Sequence, residues 1–377
     1  MPRQPREPQP TSERRRNPPP GDPQHRKLIL SVAAILAVAV VAFLLIVPKW
    51  DRPPIVSAEY GPDALAMNTF TPLSRAPNPL NTLAFPIPEP VADRGVSAGE
   101  AYGNVEVLAD LDAAQFDRLM VAITEWVAPN DGCTFCHAAA ANGLPDYEAP
   151  PPYTFAVARQ MLRMTRDLNA APEQHLQPQG VTCFSCHRGQ NVPEYHWFKA
   201  GDWPPPSERW FQEPPPWIRT ATTIRGFFPR EAFEMFLLED NRAAGIQARD
   251  VDEPAVTVMD PGGKPLFTWA ENIYILMMQM SDGLGVNCTA CHNSRAFADW
   301  SQSTPQRIAA WYAIHQTQMI NHDYIEPLAP ILPDALKGPV GDPAKVECMT
   351  CHVAQTKPLG GIPMVAHFPG LIGAAPR

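Results

Sequence analysis

The longest apolar run in the chain covers residues 28–47, LILSVAAILAVAVVAFLLIV, with Ser31 its one polar position. Twenty residues at the helical rise match the hydrocarbon core of a bilayer, so this run is expected to form a transmembrane helix. Beyond it the pattern changes to shorter amphipathic stretches. Phe116, Leu119, Met120, Ile123 and Val127 share one helical face. That stretch opens with Asp112 and Gln115, a capping-box-like pair, and stops at Pro129-Asn130-Asp131-Gly132. A second helix is expected from about Thr154 to Asn169. A third starts at Thr268 with Glu271 and ends at Gly283 and Gly285, and a fourth starts at Thr304-Pro305, with proline in a favoured early position. No sheet is needed to account for the pattern.

Composition shapes what lies between these helices. Of 377 residues, 46 are proline, which favours extended, turn-rich connections over long regular elements. The expected fold class is mainly α, with extensive irregular proline-rich loops and one N-terminal transmembrane helix. Residues 1–27 read as a disordered basic arm, 28–47 as the anchor and 48–92 as an extended proline-rich segment. Two functional halves are expected at 93–200 and 266–377, joined by a proline-rich bridge at 201–265 that carries Pro204-Pro205-Pro206 and Pro214-Pro215-Pro216.

Charge gives the membrane segment a direction. Arg14, Arg15, Arg16, Arg26 and Lys27 precede it, whereas Lys49 and Arg52 follow it, offset by Asp51. The N-terminus is therefore expected in the cytoplasm and the rest of the chain across the membrane. A cleaved signal peptide is the alternative. Its apolar core would be shorter, and the nearest small-x-small site, Val56-Ser57-Ala58, lies nine residues beyond Val47. No cysteine stands near the segment for lipid attachment. The net charge of -9 argues against nucleic acid and suits a basic protein partner.

The eight cysteines decide the chemistry. They are Cys133, Cys136, Cys183, Cys186, Cys288, Cys291, Cys348 and Cys351, in four Cys-x-x-Cys pairs. A histidine follows each pair directly: His137, His187, His292 and His352. Disulfides have no use for histidine at that fixed place, and a zinc site would not need it four times. Cys-x-x-Cys-His attaches c-type haem, the thiols forming thioethers to the vinyl groups and the histidine supplying one axial ligand to iron. Four covalently bound haems are expected. The motifs start 50 residues apart in the first half and 60 apart in the second, each behind a helix, which reads as an internal two-fold duplication.

The sixth ligand separates electron transfer from catalysis, because an open iron could bind substrate. Met120 stands 13 residues before Cys133, Met277 11 before Cys288 and Met161 22 before Cys183. Each could equally be core filler, and Met164, Met278 and Met280 are neighbouring competitors. Laying Asn169 on Asn321 sets Met161 opposite Ala313, which leaves the fourth haem without a methionine at the matching place. His175, eight residues before Cys183, falls opposite Pro327. A spare histidine in one half and a missing ligand in the other suggest that His175 crosses to the fourth iron. His315, His322 and Met319 are local candidates for the same role.

The motifs together with RQMLRMTRDLN (159–169), GVTCFSCHRG (180–189), SDGLGVNCTACHN (281–293) and KPLGG (357–361) resemble the tetrahaem cytochrome c subunit of the purple-bacterial photosynthetic reaction centre. The resemblance spans roughly 94–364. It implies methionine ligands at Met120, Met161 and Met277, and His175 on the fourth haem. It also implies a periplasmic electron relay, not an enzyme, bound to core subunits that carry bacteriochlorophyll. Such a relay re-reduces the photo-oxidised special pair and is itself reduced by a soluble periplasmic donor, a small cytochrome c or an iron-sulfur protein. Many members are tethered by a lipid-modified cysteine, for which the 28–47 helix looks like the replacement. A membrane-anchored multihaem quinol dehydrogenase and a multihaem reductase are the alternatives. The first mostly uses histidine as sixth ligand, and the second needs an open iron.

Overall fold

A computed structural model describes residues 23–46, 56–60, 67–71, 78–170, 175–199, 231–238, 267–297 and 299–373. Most of the expected basic arm and proline-rich bridge, including both Pro-Pro-Pro runs, lies outside the described residues. The chain separates into two units, 1–52 and 53–377.

The first unit holds α1, Pro23–Ile46. It begins at a proline, whose fixed φ suits the first helical turn, so Arg26 and Lys27 belong to the helix and not to the arm. Its apolar side chains, Leu28, Ile35, Val38 and Leu45 among them, are exposed all round. By length and composition this helix is long and apolar enough to cross a membrane.

The second unit is mostly helical. Its order is β1 (Val56–Tyr60), β2 (Met67–Thr71), α2 (Ala98–Ala101), α3 (Ala113–Val127), β3 (Ala138–Ala139), β4 (Pro145–Asp146), α4 (Tyr153–Ala170), α5 (Cys183–His187), α6 (Glu231–Leu237), α7 (Phe267–Leu284), α8 (Pro305–Met319) and α9 (Cys348–His352). Both strand pairs are antiparallel, β1 with β2 and β3 with β4. The β1–β2 pair falls within the segment expected to be merely extended.

The four amphipathic helices lie where the apolar spacing puts them. Asp112 caps α3 by accepting from Ala114 N–H at 2.8 Å. Its expected box partner, Gln115, donates instead to Val91 O and Asp93 Oδ1. Tertiary contacts with the incoming chain outcompete the local cap. Thr304 precedes α8 with Pro305 at its first position, and its hydroxyl donates to Ala290 O inside the third motif. Thr154 donates likewise to Phe135 O in the first motif. A π-helical turn, Ile320–Ile325, carries the chain away from α8.

Two apolar cores support the motifs. Phe85, Leu119, Trp126 and Phe184 form one with Leu359, Met364, Phe368 and Leu371 from the C-terminal tail. Trp197, Phe233, Phe236, Leu276, Met280 and Ile314 form the other. Trp126 and Trp197 are both fully buried, and each indole N–H reaches a backbone carbonyl, Pro86 O and Val346 O respectively.

Candidate haem sites

The even-numbered motifs are short helices with the same ends. In α5, Thr182 N–H donates to Ser185 Oγ at 3.0 Å, and in α9, Glu347 N–H donates to Thr350 Oγ1 at 2.9 Å. Both helices leave through a left-handed residue, Arg188 and Val353. The odd-numbered motifs are 3₁₀ turns, Gly132–Phe135 and Cys288–Ala290. The helix ahead of each odd motif docks on the even motif of its own half. Gly189 N–H donates to Trp126 O at the end of α3, and Ala354 N–H donates to Gly283 O in α7, both at 2.8 Å. At Gly285 φ is +67, and a Cβ would stand 2.2 Å from Ala354 O, so only glycine permits the close approach.

The two halves meet through their even motifs. Cys186 Sγ and Cys351 Sγ are 2.7 Å apart. His175 faces His352 with ring centroids 5.8 Å apart. Metal–imidazole bonds are about 2 Å long, so that spacing leaves room for one metal atom between the rings. Contacts therefore run from α3, the helix ahead of the first motif, to the second motif, on to the fourth, and from there to α7, the helix ahead of the third.

A continuous cavity of about 1700 Å³ follows this path. Pockets for one drug-sized ligand hold roughly 300–1000 Å³, so it is too large for a single small group. Cys133, Cys136, His137, Cys183, Cys186, His187, Cys291, Cys348, Cys351 and His352 line it, with Met120, Met161 and His175. Cys288, His292 and Met277 are not part of that lining. Met277 packs against the second core, and Met280, three residues on, lines the cavity.

The side-chain chemistry fits covalent haem. His187 Nδ1 lies 2.9 Å from Gln190 O, His292 Nδ1 2.9 Å from Phe297 O and His352 Nδ1 2.8 Å from Gln355 O. A carbonyl can only accept, so Nδ1 carries the proton and Nε2 keeps the lone pair that a metal takes. His137 is held edge-on by Tyr147 and Phe155, with centroids at 4.8 and 5.6 Å. Burial and the facing His352 push His175 down to about 4, which keeps it neutral and able to ligate. Burial also pushes up the thiols of Cys136 and Cys291 to about 11 and of Cys183 to about 12. No cluster of His, Cys, Asp and Glu suited to a bare metal ion occurs among the described residues.

Asn169 and Asn321, which correspond in the repeat, have a hydrogen-bonding role that the sequence did not reveal. Each grips the residue two places before an even motif, over 12 residues from Asn169 to Val181 and over 25 from Asn321 to Val346. The two asparagines are the pair laid on one another in the repeat, and each keeps the same bond across a loop of different length. Arg188 carried no sequence signal beyond its place after His187.

Residues 51–372 match the model of the family described as photosynthetic reaction centre cytochrome C subunit. The chain is similar to the photosynthetic reaction center cytochrome c subunit of Thermochromatium tepidum, 40% identical over 287 residues, 76% of this chain and 67% of that one. It is 37% identical over 340 residues to the subunit of the same name from Rubrivivax gelatinosus, covering 89% of this chain and 88% of that one. With the Roseobacter denitrificans subunit it shares 32% identity over 346 residues, 89% of this chain and 91% of its relative.

Proposed function

The chain belongs to the photosynthetic reaction centre cytochrome c subunit family, and we propose that it is a four-haem relay that returns electrons to the photo-oxidised special pair. As a member of that family it is an electron-transfer component and not an enzyme, it carries covalently bound c-type haem, and it associates with a reaction centre core. The finer reading is a periplasmic unit held by α1, with its N-terminus in the cytoplasm. Its reductant is a soluble periplasmic donor, a small cytochrome c or an iron-sulfur protein.

The contact of the second motif with the fourth carries this reading. With α3 seated on the second motif and α7 on the fourth, it supports a file in the order first, second, fourth, third, which a relay requires and a set of isolated sites would not. The matched ends of α5 and α9, and the matched grips of Asn169 and Asn321, support an internal duplication behind that file.

When bound, c-type haem supplies one-electron iron chemistry. The protein's residues do the rest. His137, His187, His292 and His352 would each hold an iron, and three of them are oriented for it by their Nδ1–H bonds. Met120, Met161 and Met277 would supply the second ligand at the first three sites and His175 at the fourth, which would leave no position for a substrate. The apolar walls exclude water and hold the spacing. Met/His ligation gives a higher potential than His/His ligation, so the fourth haem is the odd one of the set.

Carbon monoxide tests the relay against a catalytic multihaem protein. The reduced native protein is expected to leave carbon monoxide unbound at all four irons, and appreciable binding would overturn the reading. Purification from membranes provides the second check. Core polypeptides and bacteriochlorophyll are expected to accompany the chain, whereas a quinol dehydrogenase would arrive without pigment beyond haem.

A further inference from the structure

α5 ends through Arg188 at φ 49 and ψ 43, and α9 ends through Val353 at φ 48 and ψ 51. The turn itself therefore does not demand arginine, because an apolar residue fills the matching place. Both residues are buried, at 4% and 1% exposure. The left-handed backbone is common to both residues, so the added cost of a charged side chain there is its loss of hydration. Its presence calls for a reason beyond the turn.

The partners of the guanidinium are all neutral. Nη1–H donates to Leu80 O at 2.9 Å and to Asn81 Oδ1 at 2.8 Å, and Nη2–H donates to Cys351 O at 2.6 Å. Nε–H points to Ser185 O at 3.5 Å. Asn81 in turn donates to Val353 O. No carboxylate among the described residues forms an ion pair with it. Burial lowers its pKa, but a guanidinium starts so high that it stays charged at any pH the protein meets. Among the described residues no acidic side chain offsets this positive charge, which stands beside the contact of Cys186 with Cys351.

We propose that Arg188 is a shared electrostatic element of the second and fourth haem sites, raising both of their midpoint potentials relative to the first and third. The inference rests on the relay reading and deepens it. Ferric haem carries one more positive charge than ferrous haem, so a fixed cation nearby disfavours oxidation at both neighbours. The low-dielectric surroundings let that bias reach further than it would in water. Arg188 acts on iron only through space and is a positioning residue, not a ligand.

The test is an optically monitored potentiometric titration of the full-length, haem-loaded protein. The wild type must resolve four one-electron steps; failure at that stage counts against the relay reading and not against Arg188. Arg188→Gln removes the charge and keeps amide donors. Two of the four midpoints are expected to fall while the other two hold. A bias on the order of tenfold in the oxidised-to-reduced ratio corresponds to 59 mV for a one-electron couple. Asn81→Asp leaves the arginine in place, sets a carboxylate against it, and is expected to lower the same two midpoints. Arg188→Lys keeps the charge with fewer hydrogen bonds and is expected to stay near the wild type. If Arg188→Gln and Asn81→Asp leave all four midpoints unchanged, or if Arg188→Lys lowers them as far as Arg188→Gln, the proposal fails and Arg188 is only a tie between α5, α9 and the turn at 79–81.

Discussion

Asn169 and Asn321, 152 positions apart in sequence, make the same set of hydrogen bonds. Each side chain accepts from the N–H of the residue two before an even motif, Val181 or Val346, at 2.8 Å, and donates back to that residue's carbonyl at 2.9 Å. Each also donates to a carbonyl from another element, Leu371 O for Asn169 and Leu237 O for Asn321. One amide thus fixes the entry to a haem motif and pins a distant segment over it.

Replacing Asn321 with leucine leaves the backbone groups of Val346 and Leu237 without this partner, at about 1–3 kcal/mol for an unsatisfied group. A stability loss of about 3 kcal/mol is expected in denaturant unfolding, with Asn321→Asp in between because it keeps the acceptor. Asn169→Leu should behave alike. A loss under about 1 kcal/mol in both would mean that the amides are incidental.

The ligand assignments predict opposite shifts. His175→Met is expected to raise one midpoint potential, and Met277→His to lower one, with the other three nearly unchanged in each case. Met280→His separates the two neighbouring methionines of α7. If it, and not Met277→His, moved a single potential, the third ligand would be reassigned.

Gly285 joins the lead-in of the third motif to the end of the fourth. Alanine there meets both the positive φ and the Ala354 carbonyl. Gly285→Ala is expected to cost at least about 2 kcal/mol and to shift the spectra of the third and fourth haems more than those of the other two. Gly143, also at positive φ but with open space around it, is the control and should lose only the backbone share.

Acid sensitivity should trace to Lys345. Its side chain is fully buried and pairs with Asp342 and, at 3.0 Å, with Glu326. Burial alone would raise the Glu326 carboxyl, but Lys345 and then Lys199 outweigh it and hold the group below its ordinary 4.5. A depressed carboxylate stabilises the fold fully above that ordinary value, and its contribution disappears as the pH falls below it. Lys345→Met is expected to destabilise by about 3–5 kcal/mol at neutral pH, because it leaves the buried Asp342 carboxylate without its cation. It should also shrink the acid-side loss, as read from unfolding midpoints between pH 3 and pH 7.

The chain's chemistry was legible because it is local. Two thiols and an imidazole within five residues specify haem attachment wherever they stand, and the helices ahead of them show in the spacing of apolar positions such as Phe116, Leu119 and Ile123. The anchor was legible for the same reason, although α1 begins at Pro23, earlier than the apolar run alone implies. The crossover of His175 was suggested by a deficit in the repeat, and the structure brings that histidine to face His352. What no local pattern carries is which motifs touch. Cys186 and Cys351 lie 165 residues apart in sequence, and their contact depends on how α3 seats on α5, how α7 seats on α9, and how the C-terminal tail closes the first core. Gln115 leaves its local cap and Arg188 is buried for the same reason. Side chains settle according to the summed packing of distant segments, which only the folded chain decides.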